Sequence, residues 1–180
     1  MSVKQMSKFL SLILRHKPEI IGIQLDSHGW ADVDKLLNGI NNSGKTIDFD
    51  MLQRVVSEND KQRFSFNEDK TKIRANQGHS KLVDVELQQK IPPHTLYHGT
   101  IERNRASINL KGLLKMNRLY VHLSKDVETA QKVAARRQGR SIIYKIDAEL
   151  MNKDGYKFFQ SVNNVWLTEH VPPKYLSIIN

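Results

Sequence analysis

Arg63-Phe64-Ser65-Phe66, Asn67-Glu68-Asp69-Lys70 and Thr71-Lys72-Ile73-Arg74 form the stretch on which the fold turns. Phe64, Phe66 and Ile73 alternate with polar residues on either side of a polar turn, which predicts a β-hairpin. Reading backwards, three helices precede it. The nearest starts at Asp48 and turns Met51, Leu52, Val55 and Val56 inward. The one before starts near Asp32, where Val33, Leu36, Leu37 and Ile40 fall at i, i+3, i+4 and i+7, and Asn41-Asn42-Ser43-Gly44 ends it. The first runs from Ser7 to Lys17 on an apolar stripe of Phe9, Leu10, Ile13 and Leu14, and Pro18 stops it.

Three helices followed by a hairpin match a winged-helix lobe. Residues 81–91 read as a connector ending at Pro92-Pro93, and after it the texture changes. Candidate strands are Thr95–His98, Leu119–Leu123, Ser141–Ile146, Val165–Thr168 and Tyr175–Ile179, with helices at Asp126–Gln138 and Arg103–Leu110, the latter closed by Lys111-Gly112. The expectation is an α+β chain of two lobes, residues 1–90 and 91–180, the second a mixed α/β lobe. There is no internal repeat, no low-complexity segment, no Rossmann glycine fingerprint and no P-loop, so any nucleotide is held another way.

Charge is unevenly placed. The chain carries +9, of which residues 1–90 hold +2 (14 Lys+Arg against 12 Asp+Glu) and residues 91–180 hold +7 (14 against 7). Such an excess favours polyanionic partners such as RNA or a dinucleotide, although it also serves plain solubility. With no cysteine in the chain, disulfides, Cys-ligated zinc and a Cys nucleophile are excluded. The apolar run Phe9–Leu14 is too short to span a membrane and is followed by Arg15-His16 rather than a cleavage site, so a cytoplasmic protein is expected.

Several short polar motifs carry candidate chemistry. Arg15-His16 close the first helix, where cations also complement the helix dipole. Arg74 ends the hairpin, and Gly78-His79-Ser80 could cradle an anion through backbone amides or form an ordinary surface turn. His98-Gly99-Thr100 follow a strand, glycine permitting close approach of a flat ligand and His and Thr supplying donors. His122, in Tyr120-Val121-His122-Leu123, reads by itself as a satisfied core or edge histidine. Arg136-Arg137 end a helix, where a solvated face would look the same. No acidic residue stands near His98 and His122 at ligand spacing, so no metal is expected. Trp30 and Trp166 read as core residues rather than base-stacking platforms.

Taken in order, Leu14-Arg15-His16, Ile73-Arg74-Ala75-Asn76-Gln77-Gly78-His79-Ser80, Tyr97-His98-Gly99-Thr100, Val121-His122-Leu123-Ser124, Ala135-Arg136 and Val165-Trp166-Leu167-Thr168 resemble the RNA 2'-phosphotransferase family, often called tRNA 2'-phosphotransferase. The resemblance covers the chain from about Ser7 to Ile178. It implies a winged-helix lobe and an ADP-ribosyltransferase-like, NAD-binding lobe, with the active site in the cleft between them. The implied activity removes an internal 2'-phosphate from RNA with NAD as co-substrate and no metal. The phosphate is first ADP-ribosylated with release of nicotinamide. Transesterification then gives 2'-OH RNA and ADP-ribose 1″,2″-cyclic phosphate. The family's four catalytic positions fall on Arg15, His16, Arg74 and Arg136. Gly78, His79 and Ser80 resemble its segment beside the RNA phosphate. Its NAD residues map to His98, Gly99, Thr100, His122 and Ser124, with Gly112 and Leu113 near the adenine side. Of Arg136 and Arg137, the family match favours Arg136. The chain departs from the family at Asn164, where glycine is usual; Asn tolerates a left-handed backbone, so the turn is expected to survive.

This chemistry suits these residues. A phosphate monoester is already an anion and needs no general base to attack. Val165 therefore fits where many ADP-ribosyltransferases carry a glutamate, since a carboxylate there would repel the phosphate. Arg15, Arg74 and Arg136 suit stabilisation of charge on the phosphoryl oxygens, and His16 suits phosphate binding or proton transfer. The expected partner is RNA bearing an internal 2'-phosphate, with tRNA splicing as one context, and a monomer is the default for a chain of this size. Two rivals are weighed: an ADP-ribosyltransferase acting on nucleic-acid ends or protein, and a non-catalytic winged-helix binder. The second requires a basic recognition helix, but residues 48–60 hold only Arg54 against Asp48, Asp50, Glu58 and Asp60.

Overall fold

A computed structural model describes residues 1–59 and 61–179; Asp60 of the acidic stretch above lies outside them. The chain divides into two compact units, Met1–Glu86 and Leu87–Asn180. The division falls four residues before the expected one, because Gln88–Gln89 inside the predicted connector form a strand of the second unit.

The first unit holds α1 (Val3–Arg15), β1 (Trp30–Asp32), α2 (Val33–Asn42), α3 (Phe49–Ser57), β2 (Phe64–Phe66) and β3 (Lys72–Ala75). α1 starts four residues earlier than its apolar stripe suggested. Ser2 and Gln5 close a capping box there, each side chain bonded to the other's backbone N–H. α2 and α3 are capped by Asp32 and Asp48, whose carboxylates accept from the N–H of Lys35 and Met51 at 2.9 and 2.8 Å. The hairpin forms as expected, with Phe64 opposite Ala75 and Phe66 opposite Ile73. The sequence reading missed β1, a third antiparallel strand on the far side of β3, with Trp30 opposite Arg74. Its partner strand is not its neighbour in sequence, so no hairpin pattern announces it. One core cluster unites the unit, with Met6, Leu10, Ile13, Leu14, Leu36, Ile40, Leu52, Val55 and Ile73 buried.

The second unit runs β4 (Gln88–Gln89), β5 (Thr95–Ile101), α4 (Arg105–Lys111, after a 3-10 turn at Glu102–Asn104), β6 (Leu113–Leu114), β7 (Val121–Leu123), α5 (Val127–Ala134), β8 (Ser141–Asp147), α6 (Ala148–Lys153), β9 (Phe159–Gln160), β10 (Trp166–Thr168), β11 (His170–Val171) and β12 (Leu176–Ile179). Three antiparallel sheets result, ordered β4-β9-β10-β7, β12-β8-β5 and β6-β11. The first two are stitched together where Tyr97 and Ser124 exchange backbone hydrogen bonds of 2.9 and 2.7 Å. All five predicted strands exist, shifted at their ends. α5 stops at Ala134, four residues before the predicted Gln138, so Arg136 and Arg137 lie in the turn after it. Leu96, Tyr144, Ile146, Met151, Phe158 and Trp166 are buried in the principal core, as expected for Trp166. Among the described residues, no helix is long and apolar enough to cross a membrane.

Gly99 lies in β5 against α5, where an added Cβ would fall 1.8 Å from the carbonyl oxygen of Ala130. Its missing side chain lets the helix sit directly on the strand. Gly112 caps α4 at φ 76°, where an added Cβ would meet the Val171 carbonyl oxygen at 2.0 Å. Asn164 adopts φ 60° in the β9–β10 turn, which closes through Asn164 N–H to Ser161 O at 2.9 Å and Ser161 N–H to Val165 O at 3.0 Å. The turn therefore survives without glycine.

Candidate functional site

The first unit gathers all six residues singled out in it. Arg15 is the last residue of α1, His16 caps it, and the chain after β3 returns to this helix end. Ser80 N–H donates to Arg15 O at 3.0 Å, and the Ser80 hydroxyl lies 3.0 Å from His16 Nδ1. Gly78, at φ 88°, brings its backbone against the Arg15 guanidinium: an added Cβ would sit 3.5 Å from Nη1. The two halves of the pattern, 64 residues apart for His16 and Ser80, meet because β3 carries the chain back beside the end of α1.

His79 is 1% exposed. Burial first, then the neighbouring charges of Arg15, His16 and Arg74, push its imidazole from 6.5 down to about 4. It is a neutral ring beside Arg15, His16 and Arg74, so its part is packing and dipole rather than charge. Gly29, at φ 78°, closes over it, with an added Cβ 3.3 Å from His79 Nε2.

Arg74 lies in β3 with 13% of its side chain exposed. Its Nη1 donates to Glu86 Oε2 at 2.9 Å and to His28 O at 3.4 Å. The guanidinium carbon lies 4.3 Å from the centre of the Trp30 ring. Trp30 was expected to be core; it is only partly buried and packs on Arg74 instead. Trp30 and Glu86 thus join the site unannounced. The missed signal is the pairing of β1 with β3, which local patterns do not reveal.

In the second unit, His98 lies on β5, His122 on β7, Ser124 just after it and Val165 just before β10. His98 Nδ1 is 3.0 Å from His122 O. A carbonyl oxygen only accepts, so Nδ1 carries the proton, and in the neutral ring Nε2 is an acceptor. Desolvation, followed by the charges of Arg137 and Arg118, lowers the His98 pKa against the raising effect of that hydrogen bond. Thr100 is 1% exposed and accepts from Asn104 Nδ2 at 2.9 Å. Gly112 and Leu113 lie at the start of the β6–β11 ribbon, a different sheet from His98 and His122.

Arg136 and Arg137 are exposed. Of these two, Arg137 but not Arg136 is among the charges that lower the His98 pKa, whereas both lower that of Arg118. Arg118, in the turn before β7, was not singled out. It is exposed as a residue, yet desolvation of its guanidinium and the charges of Arg137 and Arg136 lower its pKa. No carboxylate appears among the groups acting on His98 or Arg118. The unit thus presents three arginines and a neutral histidine as an anion-attracting group.

Comparison with known proteins bears out the family resemblance. The model of the family "RNA 2'-phosphotransferase, Tpt1 / KptA family" matches residues 2–170. A protein of Fusobacterium nucleatum is 54% identical over 172 residues, 96% of this chain and 96% of its own length. One from Flavobacterium johnsoniae is 53% identical over 173 residues, 96% and 94% of the two chains. One from Trichormus variabilis is 51% identical over 176 residues, 98% and 96%. All three are named "Probable RNA 2'-phosphotransferase". At that identity over nearly full length, the chain belongs to the RNA 2'-phosphotransferase family.

Proposed function

We propose that the protein removes an internal 2'-phosphate from RNA in an NAD-dependent, two-step reaction. The steps are ADP-ribosylation of the phosphate with release of nicotinamide, and transesterification to 2'-OH RNA and ADP-ribose 1″,2″-cyclic phosphate. The observation that carries this reading is the gathering of Arg15, His16 and Arg74 around the Gly78–Ser80 segment, beside a histidine that stays uncharged. In this reading the first unit is a winged-helix RNA-binding lobe and the second an ADP-ribosyltransferase-like lobe.

Arg15 and Arg74 bind the phosphate oxygens, and positioning is the largest contribution they can make, on the order of 7–11 kcal/mol when geometry is right. Ser80 holds the His16 ring at Nδ1. The neutral Nε2 of His98 suits a ribose hydroxyl, and Arg118, Arg136 and Arg137 suit a diphosphate, so this donor set fits a dinucleotide. NAD⁺ supplies the ADP-ribosyl group that the phosphate accepts. Arg136 is assigned to the phosphoryl charge of the second step.

The test is incubation of the purified protein with NAD⁺ and a short RNA carrying one internal 2'-phosphate, without added metal. Loss of the phosphate with appearance of the cyclic product is expected, abolished in Arg15→Ala, His16→Ala and Arg74→Ala. NAD⁺ consumption without dephosphorylation would replace this reading with a general ADP-ribosyltransferase. No turnover by folded protein would leave a binding module.

A further inference from the structure

Trp30 is a large aromatic residue outside the hydrophobic core of its unit, neither among the buried cluster nor among the apolar side chains packed on it. Its ring is used on Arg74. The two stand directly opposite each other in the β1–β3 register, where cross-strand neighbours on one face are close enough to touch. Trp30 is itself anchored: its N–H donates to Asp26 Oδ1 at 3.0 Å, and its carbonyl accepts from Asp26 N–H at 2.9 Å.

Arginine has five N–H donors in a planar fork. On Arg74, Nη1 donates to Glu86 and to His28 O, and one face of the plane is covered by Trp30. Nε and Nη2 donate to nothing among the described residues. That edge offers two parallel N–H groups, the geometry that binds two oxygens of one phosphate.

Building on the proposal that Arg74 holds the RNA 2'-phosphate, we infer that Trp30 is a positioning residue. It stacks on Arg74 and, with Glu86 and the His28 carbonyl, locks the guanidinium so that its Nε–Nη2 edge is preset for the phosphate. The stack replaces packing that a free arginine would have to find on binding. Its loss should be felt only by ligands that carry the phosphate.

The experiment compares wild type with Trp30→Leu, Trp30→Phe, Arg74→Ala and the double variant Trp30→Leu/Arg74→Ala. Affinity is measured for a labelled RNA with and without one internal 2'-phosphate, alongside kcat and KM. Trp30→Leu should weaken binding of the phosphorylated RNA up to about tenfold, the upper end of the cost of ordering one long side chain on binding, and leave the unphosphorylated RNA within twofold. Trp30→Phe should recover most of the loss. In the Arg74→Ala background, Trp30→Leu should add nothing.

Additive losses in the double variant, or equal losses for both RNAs, would overturn the inference while leaving Arg74 as phosphate ligand. Full affinity of Arg74→Ala for the phosphorylated RNA would instead overturn the reading on which it rests. Should Trp30→Leu melt early, the wild-type chain still decides. The Arg74 Nε–H resonance, assigned by its loss in Arg74→Ala, should move on titration with inorganic phosphate. A resonance that stays put refutes the preset edge.

Discussion

Gly99→Ala tests whether the glycine of the His-Gly-Thr motif serves packing. The added methyl would lie 1.8 Å from Ala130 O, 2.7 Å from Ala130 C and 3.1 Å from Ala134 N, all backbone atoms of α5 and none able to swing aside. Ordinary contact begins at 3.4 Å, so helix and strand must separate by more than an ångström. β5 cannot retreat, because it is paired with β8 along its whole length, with Gly99 opposite Ile143. α5 must lift instead, opening the cluster of Ala130, Ala134 and Ile143. Overpacking typically costs about 1–3 kcal/mol, and a double clash with backbone belongs at the upper end. About 3 kcal/mol corresponds to a fall in Tm on the order of 6–12 °C for a chain of this size. The assay is a thermal melt followed by far-ultraviolet circular dichroism; Gly99 lies in a strand and not among the positive-φ glycines, so the loss reads packing alone. A Gly99→Ala melt within about 2 °C of wild type would refute the packing argument and return the glycine to a purely ligand-facing role.

The depressed pKa of His79 makes stability depend on pH. As pH falls below 6.5 the unfolded chain gains a proton that the folded chain refuses until about pH 4. This part of the stability is therefore complete above pH 6.5 and drains away towards pH 4, by about 3 kcal/mol in all. His79→Gln should flatten urea midpoints over that window relative to wild type, and parallel profiles would contradict the buried neutral ring. At Asn164, Gly should match or slightly exceed wild-type stability, whereas Val should lose about 1–2 kcal/mol at φ 60°; equal melts for Gly and Val would show that the turn relaxes. Arg137→Ala should raise the His98 pKa, since Arg137 is among the charges that lower it, and Arg136→Ala should leave it alone; an NMR titration that reversed the two would exchange their places. Arg136→Ala should also accumulate ADP-ribosylated RNA, and equal loss of both steps with no intermediate would remove Arg136 from the second step.

What could be read from sequence was what lies within one helix turn or one hairpin. Asp32 and Asp48 announce helix starts because a cap acts over three residues, and Phe64 to Ile73 announce a hairpin because alternation is local. The Ser2 cap is hidden because the apolar stripe starts later than the capping box. α5 ends short of its sequence pattern because polar Arg136, Arg137 and Gln138 are as compatible with a turn as with a helix. The two-residue strands β4, β6, β9 and β11 carry no pattern at all; they exist through their partners.

The site follows the same division. Motif order named Arg15, His16, Arg74 and Gly78–Ser80, and the chain does bring them together. Their physical state comes from tertiary neighbours that no motif contains. His79 is identical in sequence terms to any loop histidine, yet burial, and then the neighbouring Arg15, His16 and Arg74, make it neutral. Arg74 is one arginine in a strand, yet Trp30 across the sheet and Glu86 twelve residues on leave it one open edge. The proposed phosphate site needs both cations and a reason for them to remain in place without collapsing onto carboxylates. Here a carboxylate takes one nitrogen, Nη1 of Arg74, and an aromatic face takes the plane. The charge is held in a fixed orientation rather than neutralised by a bidentate ion pair.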